Sequence, residues 1–187
     1  MKVEEIVRRV FDACDALGIP YVLVGSFASN IYSIPRATKD VDFVLRTEPG
    51  QFSQLMATLG PDFVRDPQIQ FETVTGTKKI LVEEKESGFE IEFFELSSEP
   101  HDQERFARRR RLEVFGREAW VLTPEDVLVT KINWIHRAGR KKDVPDVENV
   151  IAIQRDSLDW AYIEKWCDQL GSRQVLDQIR AHVEGLL

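Results

Sequence analysis

The chain has 187 residues, 43% of them apolar and 30% charged, enough for one substantial core or for a domain with a small helical appendage. Its 25 basic and 32 acidic side chains leave a net charge of −7, which excludes a protein that coats nucleic acid through its overall field. No apolar run approaches the ~20 residues that span a bilayer, and the opening "MKVEEIVRRVFDACDALG" is an amphipathic helical pattern with acids rather than a signal peptide. The expectation is a soluble cytoplasmic protein with no membrane association.

In chain order, Val3, Ile6, Val7, Val10, Phe11, Cys14 and Leu17 repeat with a helical period, and Gly18 supplies a stop. "PYVLVG" reads as a short buried strand ending at Gly25, and "SFASNIY" starts a helix at Ser26 that Pro35 ends. "TKDVDFVLRT" is a second strand, followed by a helix from Pro49 to Leu59 closed by Gly60-Pro61. The stretch 69–96 alternates and is broken by "TGTK" and "KESG", which predicts three antiparallel strands joined by turns. A charged helix over 102–110 precedes a strand pair in "RLEVFGREAWVL" with Gly116 at its turn. Thr123 as N-cap, Pro124 at the first helical position and Asp126 in the first turn open a helix that runs to Gly139. Helices over 144–155 and 159–170 follow, with a fourth to the C-terminus, so the chain divides into a mixed α/β part, 1–122, and a helical part, 123–187.

The two cysteines, Cys14 and Cys167, have neither metal nor redox spacing and sit among apolar helical positions, as buried free thiols do. His101, His136 and His182 lack ligand spacing and are expected at the surface. Trp120, Trp134, Trp160 and Trp166 suit packing more than base stacking, with Trp134, beside the basic "HRAGRKK", the exception. The arginines of "RFARRRRLEVFGR" point several ways on any one element, so most are expected to be solvated and to pair with the acids of "SSEPHDQE", or else to contact acceptor RNA phosphates.

The chemistry concentrates in two acidic strands. In a strand, residues two apart share a face, so Asp40 and Asp42 project together while Val41 and Phe43 face the core. Carboxylates that close repel unless a cation lies between them, and rigid hard-oxygen donors suit Mg²⁺. The same pair also suits a solvent-exposed edge kept soluble by charge. In "FEIEFFEL", Glu90 and Glu92 alternate with Phe89, Ile91 and Phe93, so one of them joins the aspartates if the strands are neighbours. Gly25-Ser26 stands at a strand-to-helix turn, where backbone N–H groups and a hydroxyl can cradle phosphate oxygens.

Together these residues resemble the DNA polymerase β-type nucleotidyltransferase superfamily, in the small prokaryotic branch that includes abortive-infection toxins. Gly25, Ser26, Asp40 and Asp42 match its strand, Gly-Ser turn and D-x-D directly, and Arg36, Thr38, Asp40 and Asp42 form the branch's R-x-T-x-D-x-D. "EIEFF" corresponds best to the third acidic strand, making Glu92 the third carboxylate, a departure from the usual Asp, with Glu90 as the fallback. The likeness extends through "RFARRRR", the P-E-D helix with Lys131, and the basic segment leading to Asp146.

The resemblance implies an α+β fold: a short mixed β-sheet flanked by helices, with the C-terminal helical segment closing a cleft. It implies transfer of a nucleoside monophosphate from a nucleoside triphosphate to a hydroxyl of RNA (tRNA among them), protein or a small molecule, with release of pyrophosphate. Asp40, Asp42 and Glu92 would be the catalytic and metal-binding residues for two Mg²⁺ ions, Mn²⁺ substituting, and Gly25, Ser26, Arg36 and Lys131 the nucleotide-binding ones. Taken alone, Lys131 also suits a solvated lysine lying along its helix, and Asp126 suits a helix start. An antitoxin partner is implied for toxin members. The glutamate in third position leaves a second reading open, a catalytically weakened nucleotide-binding or partner-binding module.

Overall fold

The computed structural model describes residues 1–72 and 74–186. Helix α1 (Val3–Ala16) turns Ile6, Val7, Val10, Phe11 and Cys14 inward and leads to strand β1 (Tyr21–Val24), buried along its whole length. Helix α2 (Gly25–Tyr32) begins directly where β1 ends, and strand β2 (Asp40–Leu45) follows. Helix α3 (Gln51–Leu59), strands β3 (Phe63–Arg65), β4 (Gln70–Phe71), β5 (Lys78–Glu84) and β6 (Phe89–Glu95), and helix α4 (Pro100–Arg108) come next. Strands β7 (Arg110–Val114) and β8 (Arg117–Val121) form a hairpin. The chain ends in helices α5 (Pro124–Ala138), α6 (Val144–Gln154), α7 (Trp160–Gln169) and α8 (Arg173–Leu186), with a 3₁₀ turn at Lys141–Asp143 before α6. Among the described residues no helix is long and apolar enough to cross a membrane.

The expected three strands of 69–96 are β4, β5 and β6, antiparallel as predicted, with Thr73 of that stretch outside the described residues. The short β3 lies outside every predicted element; at three residues it carries too little alternation to show in sequence. Helix α4 starts two residues before its predicted position because Pro100 takes its first turn, and it ends two residues early because Arg109 is already extended, feeding β7. The helix predicted to the C-terminus is described to Leu186, and Leu187 lies outside the described residues.

Among the described residues the sheet has eight strands in the order β3-β5-β6-β2-β1-β8-β7, with β4 beside β5. It is mixed: β2 runs antiparallel to β1 but parallel to β6, and β1 runs parallel to β8. One face carries Phe43 and Phe93, stacked with ring centres 5.7 Å apart, and packs on Phe11 of α1 and Phe52 of α3. This aromatic layer explains why the alternate positions of β2 and β6 can be acidic: the side chains that anchor these strands all point the other way. A mixed sheet flanked by helices is therefore what the chain forms.

The apolar side chains gather into two clusters, one around the sheet and one among α5 to α8. Helix α5 belongs to both, giving Val127 to the first and Leu128, Val129 and Ile132 to the second. Thr123 caps this helix by accepting from the Asp126 backbone N–H, and Gly139 ends it in the left-handed region.

Candidate active site

The register of β2 on β6 decides what the acids can do together. Asp40 lies opposite Glu90 and Asp42 opposite Glu92, so Asp42 and Glu92 stand side by side on the face away from the aromatic layer. On the other flank Val24, the last residue of β1, pairs with Asp42, which delivers Gly25 to the same carboxylate. A Cβ built on Gly25 would fall 1.8 Å from Asp42 Oδ2, and its φ of +64° is one that favours glycine, so close approach and backbone conformation both demand that residue. Helix α2 starts here, with Ser26 in its first turn.

These residues open onto a cleft of about 730 Å³ whose walls include Asp40, Asp42, Glu92, Gly25, Ser26, Arg36 and Lys131. All seven residues singled out in the sequence are therefore brought together. Glu90 is not among the cleft-lining side chains; it faces Asp40 and Glu83 across its neighbouring strands.

The local charges are unbalanced at the centre and balanced at the rim. Burial, then the like charges of Glu92 and Asp40, push the Asp42 carboxyl up to about 8, and it shares a hydrogen bond with Glu92. Asp40 accepts from the Thr38 hydroxyl at 2.7 Å, and Glu92 accepts from the Lys79 ammonium at 2.7 Å. Lys131 is 3% exposed, which rules out the solvated lysine that its helix pattern also allowed; its ammonium donates to Asp143 at 3.0 Å and Asp146 at 2.9 Å. Arg36 grips Asp146 through two bonds of 2.7 and 2.8 Å and donates to the Ser26 hydroxyl at 3.0 Å. Burial works to raise the Asp146 carboxyl, but the hydrogen bonds and charges of Arg36 and Lys131 hold it below its ordinary value.

Lys79 and Asp143 thus join a site in which Asp40, Asp42, Glu92, Thr38, Arg36, Lys131 and Asp146 were picked out by sequence. Lys79 sits on β5 diagonal to Glu92, a position fixed only by strand register. Asp143 lies within the basic segment, and its carboxylate also forms an ion pair with Arg140, whose guanidinium stacks 4.3 Å from the Trp134 ring centre.

Two residues sit differently from their sequence expectation. His101 is buried, not at the surface, with its ring 4.8 Å from that of Trp166. Asp126 is more than a helix start: fully buried, it accepts from Thr123 at 2.7 Å and Tyr162 at 2.6 Å, with Arg108 at 3.4 Å and His101 at 3.6 Å. Of the arginine run, Arg105 pairs with Asp102, within the acidic segment anticipated for it, whereas Arg108 pairs with Asp126 and Arg111 with Glu118, both outside that segment.

Asp40, Asp42 and Glu92 supply only hard oxygen donors, and the crowding that raises Asp42 is what a cation between them would relieve; the donor chemistry fits Mg²⁺. Among the described residues, no three histidine, cysteine, aspartate or glutamate side chains are already gathered as a metal cage.

A strand ending in Gly-Ser, a helix, D-x-D on the antiparallel neighbour and a third acid on the parallel strand beyond define the nucleotidyltransferase fold. The solution structure of the antibiotic-resistance factor ANT(2'')-Ia shares it at a TM-score of 0.62 and 14% identity, covering 96% of each chain. The crystal structure of an antigenic nucleotidyltransferase-like protein from Paracoccidioides brasiliensis shares it at 0.63 and 20% identity, covering 95% of this chain and 91% of that one. At these identities the likeness is one of fold. No curated protein matches the chain. The family described as nucleotidyl transferase AbiEii toxin, type IV toxin–antitoxin system, matches residues 8–182, and the chain belongs to it.

Proposed function

We propose that the protein transfers a nucleoside monophosphate from a nucleoside triphosphate to an acceptor hydroxyl of RNA, protein or a small molecule. The observation that carries this reading is the in-register pairing of Asp42 with Glu92 beside the Gly25-Ser26 turn, all facing one cleft. The acceptor oxygen attacks the α-phosphorus, a new P–O bond forms, the α–β bond breaks, and pyrophosphate leaves with the electron pair. Glu92 takes up or directs the proton of the acceptor hydroxyl.

The backbone after Gly25 and the Ser26 hydroxyl, at the start of α2, meet the β and γ phosphates with fixed donors rather than reorganising water. Arg36 steadies Ser26, and Lys131 adds positive charge to the same wall. Asp40 and Asp42, joined by Glu92, are the residues that would hold two divalent cations, Mg²⁺ or Mn²⁺. When bound, these ions neutralise the charge that develops on the attacking and leaving oxygens. The helical part, through Lys131, Trp134 and the turn at Asp143, closes one side of the cleft. In a type IV system an antitoxin partner is part of this proposal.

The test is incubation with ATP, GTP, CTP and UTP and Mg²⁺, following pyrophosphate release and label transfer to tRNA or to the protein itself. Wild type gives both with at least one nucleotide, and Asp40→Asn and Asp42→Asn give neither. A second reading, a nucleotide- or partner-binding module with weakened catalysis, draws on one observation: Lys79 already neutralises Glu92. Nucleotide binding without pyrophosphate in wild type selects it.

A further inference from the structure

One edge of the sheet is left open. Among the described residues β7 pairs with β8 alone, and no strand covers its other side. Such an edge offers backbone N–H and C=O groups to any strand that can line up with it, so native proteins guard it with proline, a bulge or repelling charge. β7, "RRLEV", has no proline, and its register with β8 is unbroken from Arg110 to Val114, which leaves no bulge. Its charges therefore decide what can dock.

The hairpin turn fixes which groups face outward. Two residues, Phe115 and Gly116, join β7 to β8, both at positive φ, and in so tight a turn the flanking Val114 and Arg117 bond to each other. Bonded and non-bonded pairs then alternate, so Leu112 and Arg110 also turn their backbone groups to β8, whereas Arg111 and Glu113 turn theirs to the open side. The edge thus presents one cationic and one anionic residue.

A second β7 laid antiparallel against this one meets those groups best in a single register. With Leu112 opposite Leu112 of the second copy, Arg111 faces Glu113 and Glu113 faces Arg111, and both pairs close ladder hydrogen bonds. A slip of two residues either way sets arginine against arginine or glutamate against glutamate. The chain's own contacts leave the anion wanting: Glu113 lies directly opposite Glu118 across the hairpin, and Arg111 reaches Glu118 at 3.4 Å instead. Among the described residues Glu113 has no ion pair, so Arg111 of a second copy supplies the counter-charge it lacks.

We infer that β7 is the docking edge for a second copy of this chain, joining two sheets into one across a two-fold axis at Leu112. The contact is five residues long on each side, so the dimer is a weak one. It needs neither nucleotide nor metal and is independent of the reading given to the cleft.

The experiment is sedimentation equilibrium of the full chain without nucleotide. Wild type is expected to pass from monomer at ~1 µM to mostly dimer by ~500 µM. Glu113→Arg and Arg111→Glu each set like charges together at both outer pairs and should weaken self-association about tenfold or more. An equimolar mixture of the two variants should pair again, because every arginine of one then faces a glutamate of the other. Leu112→Cys reads the same axis without changing charge: the Cα atoms of a non-bonded antiparallel pair lie ~4.5 Å apart, within disulfide reach. Under mild oxidation it should cross-link two chains about tenfold faster than the exposed control Glu4→Cys, while wild type, with Cys14 and Cys167 buried, should not cross-link. Wild type that stays monomeric at ~500 µM, single variants that associate as tightly as wild type, or a mixture that stays monomeric would overturn the inference. Where circular dichroism shows a charge variant unfolded, the presence or absence of the Leu112→Cys cross-link decides it.

Discussion

Asp42, half-buried in the wall of the cleft, and Asp126, fully buried, are both carboxylates packed into the fold, yet their surroundings are opposite. Asp126 is surrounded by donors: although burial works to raise it, His101, Tyr162 and Thr123 hold it below its ordinary value. Asp42 has Glu92 and Asp40 for neighbours and is pushed up to about 8. The first arrangement is complete in the folded chain and ties α4, α5 and α7 together. The second is incomplete until something positive arrives. An acid packed into the fold without its counter-charge is the better mark of function, because the fold gains nothing from it.

The largest effect that would sharpen this contrast is at Gly25 and Asp42. Asp42→Asn should lower pyrophosphate release by roughly 10²–10³-fold or more while leaving the metal-free protein as stable as wild type or more so. Gly25→Ala should match it in activity, since its Cβ would collide with Asp42 Oδ2. Asp126→Asn should do the reverse, costing about 3 kcal/mol in urea unfolding by breaking a buried charged network, with activity falling only as the folded fraction falls. Equal losses of stability at the two positions would break the comparison.

The pH dependence separates them next, with opposite signs. A raised carboxyl contributes stability that is whole below the ordinary carboxylate range and is lost as pH climbs through the folded value, about 8 for Asp42. Asp126 and Asp146, both depressed, contribute stability that is present above that range and is lost as pH falls through their lowered values. Urea melts in a chelator from about pH 3 to 9 should show both slopes, and the alkaline one should vanish in Asp42→Asn. The smallest effect is at Lys79. Lys79→Met removes the cation that now sits on Glu92, so Mn²⁺ titration should show several-fold tighter binding; unchanged affinity would mean that Glu92 takes no part in holding the ion.

Much of this contrast was legible before any coordinates. The period-2 alternation of "DVDFV" and "EIEFF" assigned the acids to one face, and Thr123, Gly139 and the Gly25-Ser26 turn announced element ends through local chemistry that the structure reproduces. What local chemistry cannot show is which strands are neighbours. The parallel contact of β2 with β6 depends on the whole sheet, and with it the choice of Glu92 over Glu90. The same limit hid Lys79, whose place beside Glu92 follows from hairpin register, and the burial of His101, which depends on α4 meeting Trp166 of a distant helix. The helix pattern around Lys131, taken without the resemblance, also allowed a solvated lysine because its partners, Asp143 and Asp146, lie in the turn and helix beyond its own.

The parallel placement of β6 on β2 also sets an order of events during synthesis. Asp42 waits for Glu92 while α3 and three intervening strands are made, and Arg36 meets Asp146 only 110 residues later. Closing loops that long is slow compared with forming local turns. A nascent or truncated chain that stops short of α6 therefore lacks the Asp146 clasp on Arg36 and Lys131, and the acid-lined cleft is among the last features the polypeptide completes.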